Sequence, residues 1–346
     1  MIKKPYPLKF VPVPNGRVWG GHSLVQMYGK PFDPSLIIGE SWEISGFPED
    51  SSVVSGGYLD GNPLYDIVET YMDEIVGEDN YKRFGNEFPL LVKMLDVTGR
   101  LSVQVHPDDE TAFDRHGSYG KSECWYVLDS SPSAIVYMGF SRRVTPDEFY
   151  RRCKDGTVTE VLNAYHPRKG DFFYIESGIV HSAQGGIVIA EVQQLSDVTY
   201  RLYDWGREND PSSAREMHLD LAYDCINYDK YDPSAYYLPA YLHRPAGGFS
   251  RRLSSNPHFT ATELYIDSRR EFLAENYESF IIYFCAEGGA VIALHDGTEY
   301  TLGKGEWTVV PAVLPGFSIA PAGNSALLLE YYIEKQPERD LYVEDR

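Results

Sequence analysis

Short runs in which apolar and polar residues alternate dominate this chain, and that period of two predicts strands in preference to long helices. Phe88-Pro-Leu-Leu-Val-Lys-Met-Leu95, Leu101-Ser-Val-Gln-Val-His106, Cys124–Leu128 and Ala134–Met138 each fit a strand. So do Asp171–Ile175 and Ile187–Gln193, on either side of Gly185-Gly186. After residue 245 the pattern returns in Phe280–Cys285, Ala290–Leu294, Glu299–Leu302 and Trp307–Val310. Residues 1–60 read as extended segments broken by turns. Helical signals are few and local. Asn62-Pro63 reads as an N-cap followed by the first residue of a helix that reaches Tyr81–Phe84, with an interruption near Gly77. Thr145-Pro-Asp-Glu148 is a capping box that opens a helix over 146–154, with a second short helix expected near 157–164. Ser213-Ala-Arg-Glu216 is another such box and predicts a helix to Asn227.

Pro, Tyr and Gly cluster over 235–250 without periodicity, which divides the chain into a domain over 1–240 and a smaller one over 241–346. The two halves are a degenerate repeat. Gly170-Asp-Phe-Phe-Tyr-Ile-Glu-Ser-Gly-Ile-Val-His181 aligns without gaps on Gly305-Glu-Trp-Thr-Val-Val-Pro-Ala-Val-Leu-Pro-Gly316. Glu123-Cys-Trp-Tyr-Val-Leu aligns on Ser279-Phe-Ile-Ile-Tyr-Phe. The second copy keeps the strands and loses His and Glu at the matching positions.

Composition agrees with a mainly β chain: 27 Tyr, 16 Phe and 5 Trp accompany 30 Gly and 22 Pro, the mixture of short strands and turns. A formal net charge of −20 argues against nucleic acid as a partner, since phosphate backbones are bound by basic surfaces. A small anion is not excluded, because a few well-placed cations suffice to hold one. Cys124, Cys153, Cys225 and Cys285 lie far apart with no CxxC pair, so a reducing, cytoplasmic location is expected. The N-terminus has no apolar core of a signal peptide, and no run of about 18 apolar residues predicts a membrane span.

The chemistry concentrates in four residues. Gln104 and His106 stand at i and i+2 of one strand, which sends both side chains to one face, and Pro107 ends that strand at once. Glu123 begins another strand, and His181 follows the turn after a third. Two imidazoles, a carboxylate and an amide oxygen can hold one Zn²⁺ and leave a position for water or substrate; Fe²⁺, Mn²⁺ and Co²⁺ suit the same donors. Gln104 is the weakest of the four, being a neutral amide. His116 and His166 read as surface residues, and Asp108 and Asp109 as caps of a turn or helix.

Leu101-Ser-Val-Gln-Val-His-Pro-Asp-Asp109 resembles the metal-binding motif of the type I mannose-6-phosphate isomerases, a branch of the cupin superfamily. Lys121-Ser-Glu123 with Trp125-Tyr126 is similar to that family's Lys-x-Glu segment. Ser196-Asp-Val-Thr-Tyr-Arg-Leu-Tyr-Asp-Trp-Gly-Arg207 resembles the short bacterial form, and Trp19-Gly20-Gly21 and Glu40-Ser-Trp-Glu-Ile-Ser45 agree. The resemblance runs from residue 5 to 333. It implies a double cupin, two β-barrel or jelly-roll domains with a few inserted and linking helices, carrying zinc in the first barrel alone. It implies ligands at Gln104, His106, Glu123 and His181, a catalytic Arg201, and interconversion of mannose 6-phosphate and fructose 6-phosphate. Glu176 stands where generic cupins carry Pro in the turn before the last ligand.

Aldose–ketose isomerisation moves a proton between adjacent carbons through an enediol, with negative charge developing on two oxygens. A metal and a neighbouring cation such as Arg201 stabilise that charge. Arg is a poor base. Lys121 carries the proton if burial and the metal lower its pKa; a metal-bound water and Glu43 are the other candidates. Lys93, Trp19 and Glu43 are the residues expected to contact substrate, and Arg207 joins Lys93 as a candidate for the phosphate. Three other readings stay open on the residues alone: a noncatalytic sugar-binding cupin, an isomerase of another phosphosugar, and a two-histidine, one-carboxylate iron oxygenase. A monomer and a homodimer fit the sequence equally.

Overall fold

The computed structural model describes residues 4–212, 214–273 and 277–335. By packing they fall into two compact units, one of residues 12–45 with 90–242 and one of residues 4–11, 46–89 and 243–335. The chain is therefore not cut at one point: its first residues and the helical stretch 46–89 pack in the unit of the C-terminal strands.

The first unit is built from β1 (Val13–Gly21), β2 (Ile38–Ile44), β3 (Leu90–Val97), β4 (Val103–Val105), β5 (Glu123–Ser130) and β6 (Ile135–Phe140). It continues with β7 (Leu162–Tyr165), β8 (Phe172–Ile175), β9 (His181–Gln184), β10 (Ile187–Gln194), β11 (Tyr200–Tyr203) and β12 (Tyr237–Leu238). An antiparallel seven-stranded sheet runs β1-β2-β3-β10-β5-β8-β12, and a five-stranded sheet runs β11-β4-β9-β6-β7. One core fills the space between them, with Leu95, Val97, Trp125, Val127 and Ile189 from the larger sheet against Val136, Met138 and Ala183 from the smaller.

Register decides what stands at the end of that core. β10 lies between β3 and β5, with Glu191 opposite both Lys93 and Trp125. Paired residues point to the same face, and every second residue returns to it. The inward stripes therefore read Val97-Leu95-Lys93 on β3, Val127-Trp125-Glu123 on β5 and Ile187-Ile189-Glu191 on β10. Each is apolar at one end and charged at the other. A one-residue slip would expose the whole apolar set, so the same patterning that fixes the register fixes the charged cluster.

The second unit contains β13 (Phe249–Ser255), β14 (Thr260–Ile266), β15 (Arg270–Leu273), β16 (Ile281–Glu287), β17 (Gly289–Leu294), β18 (Glu299–Gly303), β19 (Trp307–Val310), β20 (Gly316–Pro321) and β21 (Ala326–Tyr332). Its sheets run β13-β14-β21-β16-β19 and β15-β20-β17-β18. The first order repeats β2-β3-β10-β5-β8 and the second repeats β4-β9-β6-β7. Gly316 opens β20 as His181 opens β9. Ser279, aligned with Glu123, accepts a hydrogen bond from Asn80 at 3.0 Å.

Several local readings need correction. The helix after Asn62 begins with Leu64 behind Pro63, and Asn62 instead donates to the Leu59 carbonyl. It is three pieces, Leu64–Tyr71, Asp73–Val76 and Glu78–Phe84, divided at Met72 and Gly77, both with positive φ. The box at Thr145 does cap a helix, Pro146–Asp155, with Thr145 accepting from Glu148 N–H. The next expected helix stops after one 3-10 turn, Val158–Val161, because residues from Leu162 pair with β6. Asp108, read as the cap of a turn or helix, does cap one, Asp109–His116, by accepting from Thr111 N–H. Between the two predicted strands around Gly185-Gly186 lies β9, and those glycines join it to β10. Ser213 lies outside the described residues, and the helix expected from it is confined to Leu219–Ala222. His218 N–H there donates to Arg201 O, which ties the segment to β11 and not to its own preceding turn.

Candidate metal centre and active-site cavity

His106, Glu123 and His181 converge, each 1% exposed or less, with donor atoms all within 4.8 Å of one another. His106 Nε2 stands 3.4 Å from Glu123 Oε2, and His181 Nε2 stands 3.2 Å from Glu123 Oε1. Those separations match the roughly 3.3 Å expected between neighbouring ligand atoms around a tetrahedral ion with bonds near 2.0–2.1 Å. Each ring is oriented from behind. His106 Nδ1 lies 3.0 Å from the Val198 carbonyl and His181 Nδ1 lies 2.9 Å from the Ile179 carbonyl. A carbonyl only accepts, so the proton sits on Nδ1, and in the neutral ring Nε2 presents a bare lone pair to the carboxylate. Burial, reinforced by Lys121, lowers the His106 pKa to about 3, so that ring is neutral. Among the described residues, His106 Nε2 and both Glu123 oxygens are buried without a hydrogen-bond partner. Acceptors facing acceptors in a buried place are costly unless a cation lies among them. The donor set fits a divalent metal on this ground.

Gln104 sits across from His181 in the β4–β9 pair, and its Nε2 donates to His181 Nε2 at 3.1 Å. With the amide turned over, the same position offers an oxygen to the group. Glu123 is held as a carboxylate: burial alone would raise its pKa, but Lys121, with Nζ 3.5 Å from Oε2, carries it well below the ordinary value.

Beside the trio opens a cavity of about 450 Å³, whose walls include Trp19, Lys93, Gln104, Lys121, Glu191 and Arg201. Arg201 faces Gln104 across the β11–β4 pair, which brings it to the same wall. Its Nη1 donates to the Glu216 carbonyl at 2.7 Å, while its buried Nε has no partner. Trp19 is also buried, with an unpartnered indole N–H. Lys93 Nζ lies 3.8 Å from Glu191 and 3.9 Å from Asp197. Burial pulls the Lys121 ammonium down, yet Glu123, Glu191, Asp197 and Glu40 outweigh it and hold its pKa above the ordinary value. These carboxylates favour the cation at Lys121, while a metal ion in the trio would oppose them and lower its pKa.

Two sequence candidates lie elsewhere. Glu43 alternates away from Glu40 and Trp42, and is absent from the cavity walls. It is buried against Lys30, Oε2 to Nζ 2.6 Å, and accepts from Ser41. Arg207 is likewise absent from those walls, and it donates to Asp204 at 2.6 Å and to the Arg100 carbonyl. Glu43→Ala is accordingly expected to leave kcat unchanged and to lower stability by about 3 kcal/mol, the cost of stranding a buried partner charge. Denaturant unfolding alongside initial rates checks this; a large loss of kcat in folded protein would return Glu43 to the site.

The catalytic domain of type I phosphomannose isomerase matches residues 8–128. The chain is 33% identical to a probable mannose-6-phosphate isomerase, GmuF, of Bacillus subtilis over 315 residues, covering 91% of this chain and 96% of that protein. It is 33% identical to the mannose-6-phosphate isomerase of Streptococcus mutans over 299 residues, 85% of this chain and 89% of that one. This chain belongs to the type I phosphomannose isomerases. The crystal structure of a Bacillus subtilis mannose 6-phosphate isomerase superposes with a TM-score of 0.80 at 29% identity, covering 95% of this chain and all of that one.

Three residues of this phosphomannose isomerase site escaped the sequence reading. Glu191 carried a usable signal, a charge on the apolar side of Ile187-Val-Ile-Ala-Glu191. Burial, with the charge of Glu123 added, raises its pKa to about 7. Trp125 Nε1 donates to its Oε2 at 2.7 Å. Arg17 and Arg215 also line the cavity, Arg17 in a two-pronged pair with Glu40 at 2.9 and 3.1 Å. Nothing in the local sequence separates them from surface arginines.

Proposed function

We propose that this chain interconverts mannose 6-phosphate and fructose 6-phosphate through an enediol. Its proposed architecture is a double cupin with one zinc ion held by His106, Glu123, His181 and the oxygen of Gln104. Bound there, zinc supplies Lewis acidity toward the sugar's O1 and O2. The protein's own groups do the rest. Arg201 and Lys121 present fixed positive charge to oxygens that gain electron density as the enediol forms. Glu191 in its carboxylate form takes the proton from C2 of the open-chain aldose and returns it to C1, while Trp125 holds the carboxyl in place. Lys93 and Trp19 orient the sugar, and Arg17 and Arg215 lie on the same wall to receive the phosphate. The observation that carries this reading is that a carboxyl titrating near neutrality shares one cavity wall with Lys93, Lys121 and Arg201, beside the buried acceptor trio. A cavity of this size suits a hexose phosphate.

The test is metal analysis of purified protein with a coupled assay for fructose 6-phosphate made from mannose 6-phosphate. Turnover by zinc-loaded protein supports the reading, and its absence would refute it. Glu191→Gln is expected to lower kcat by roughly a hundredfold or more while metal content is unchanged. The protonated carboxyl cannot accept a proton, so wild-type kcat/KM rises as pH passes upward through about 7, and this limb is missing from the residual Glu191→Gln profile. An unaltered limb would assign the proton to another group. The described residues contain no helix long and apolar enough to cross a membrane, and all four cysteines are free, which suits the proposed cytoplasmic location.

A further inference from the structure

A second cavity, of about 630 Å³, lies wholly within the unit of the C-terminal strands, and the isomerase chemistry makes no use of it. Gly316 lines it, the residue that the internal repeat sets against His181. A Cβ at Gly316 would come within 2.8 Å of His295 Nε2 and 2.9 Å of the Phe272 carbonyl, so glycine keeps room here for His295. The position that serves metal in one unit serves space in the other.

One wall is aromatic. Tyr6 and Tyr300 lie nearly parallel, interplanar angle 16° at 5.9 Å, and Tyr58 leans on Tyr6 at 5.1 Å. Two of the rings are pinned by their hydroxyls: Tyr6 donates to the Gly56 carbonyl at 2.6 Å and Tyr58 to the Lys4 carbonyl at 2.6 Å. A ligand would therefore meet a rigid surface and lose little freedom on the protein side. The opposite edge is polar and exposed, with His295, Asp296 and Glu299. Asp296 accepts from the Thr298 N–H through Oδ1, and the carboxylate has further lone pairs that a ligand hydroxyl can share.

We propose that this cavity is a noncatalytic binding site for an unphosphorylated hexopyranose unit, its C–H face on the Tyr6–Tyr300 wall and its hydroxyls donating to Asp296 and Glu299. A pyranose presents one apolar face and a rim of hydroxyl donors, which matches an aromatic wall edged by carboxylates. A sugar phosphate fits badly. Two carboxylates at the rim repel a dianion, Lys9 is already paired with Glu306 at 2.7 Å, and the other lysine of the lining, Lys4, is solvent-exposed and screened.

The site is tested with methyl α-mannopyranoside and methyl β-glucopyranoside, which cannot open to the aldehyde and so are not isomerase substrates. Full-length, zinc-loaded protein is titrated by calorimetry and by ligand-observed NMR. At least one glycoside is expected to bind with Kd on the order of 1 mM. Tyr300→Ala weakens that binding about tenfold, the value of one stacking contact, Tyr300→Phe preserves it, and the isomerase rate of both stays at the wild-type level. Glu299→Ala, an exposed change at one of the two carboxylates, weakens binding as well and guards against misfolding of Tyr300→Ala. Absence of binding by both glycosides, binding indifferent to Tyr300→Ala and Glu299→Ala, or displacement of the glycoside by inorganic phosphate would overturn the proposal. Because both glycosides and all three variants leave the reaction alone, this outcome is independent of the isomerase assay.

Discussion

Replacing His181 with alanine is expected to remove bound metal and turnover together. The imidazole is fully buried, points Nε2 at Glu123 and is held from behind by the Ile179 carbonyl, so no neighbouring group can move in to replace it. Losing the Lewis acid forfeits several kcal/mol of stabilisation, on the order of a thousandfold in kcat. A second readout does not depend on activity. Chelation should lower the wild-type melting temperature by roughly 5–10 °C, since a ligand at 100 times its Kd contributes about 2.7 kcal/mol. The same treatment should leave His181→Ala unmoved. Metal content near one equivalent in the purified variant would show that the trio is not the site.

Arg201→Ala should separate what His181→Ala joins: full metal content with kcat down by about 10²–10³, the usual cost of one fixed charge aimed at a developing oxyanion. The reasoning rests on β-register. Arg201 pairs with Gln104 across adjacent strands, so its side chain emerges on the cavity side without touching His106, Glu123 or His181. Its Nη1 is anchored on Glu216 O, which leaves Nη2 and the buried Nε, the latter without a partner among the described residues, as donors for substrate. Burial, together with the charge of Arg215, lowers its pKa, yet a guanidinium remains charged at any working pH. Arg201→Lys is expected to recover only part of the loss, because a point charge does not reproduce the fork. An Arg201→Ala enzyme with wild-type kcat would sink this role.

The metal trio was legible because its signal is local. Gln104-Val-His106 gives two side chains on one strand face, Glu123 heads an apolar run, and His181 terminates a turn; period two does the rest. The same logic would have found Glu191 had each strand been searched for charges on its apolar side. Glu43 was misassigned for the converse reason. The Glu40–Ser45 segment offers two acids three residues apart, on opposite faces of β2, and sequence gives no means of choosing the face that meets the cavity. Arg17, Arg215 and Lys93 come from distant segments, and only strand order makes them neighbours.

By itself, the sequence determined most of the strands, the internal repeat, the family and the three buried side chains that could hold a metal, since these depend on residue type and on spacing within single elements. Tertiary structure alone decided the rest. It chose Glu40 over Glu43, surrounded Lys121 with four carboxylates that favour its cation, and raised Glu191 to near-neutral titration. Those outcomes depend on desolvation and on charges brought within a few ångströms by β3, β5 and β10, whose separation along the chain carries no trace of their distance in space.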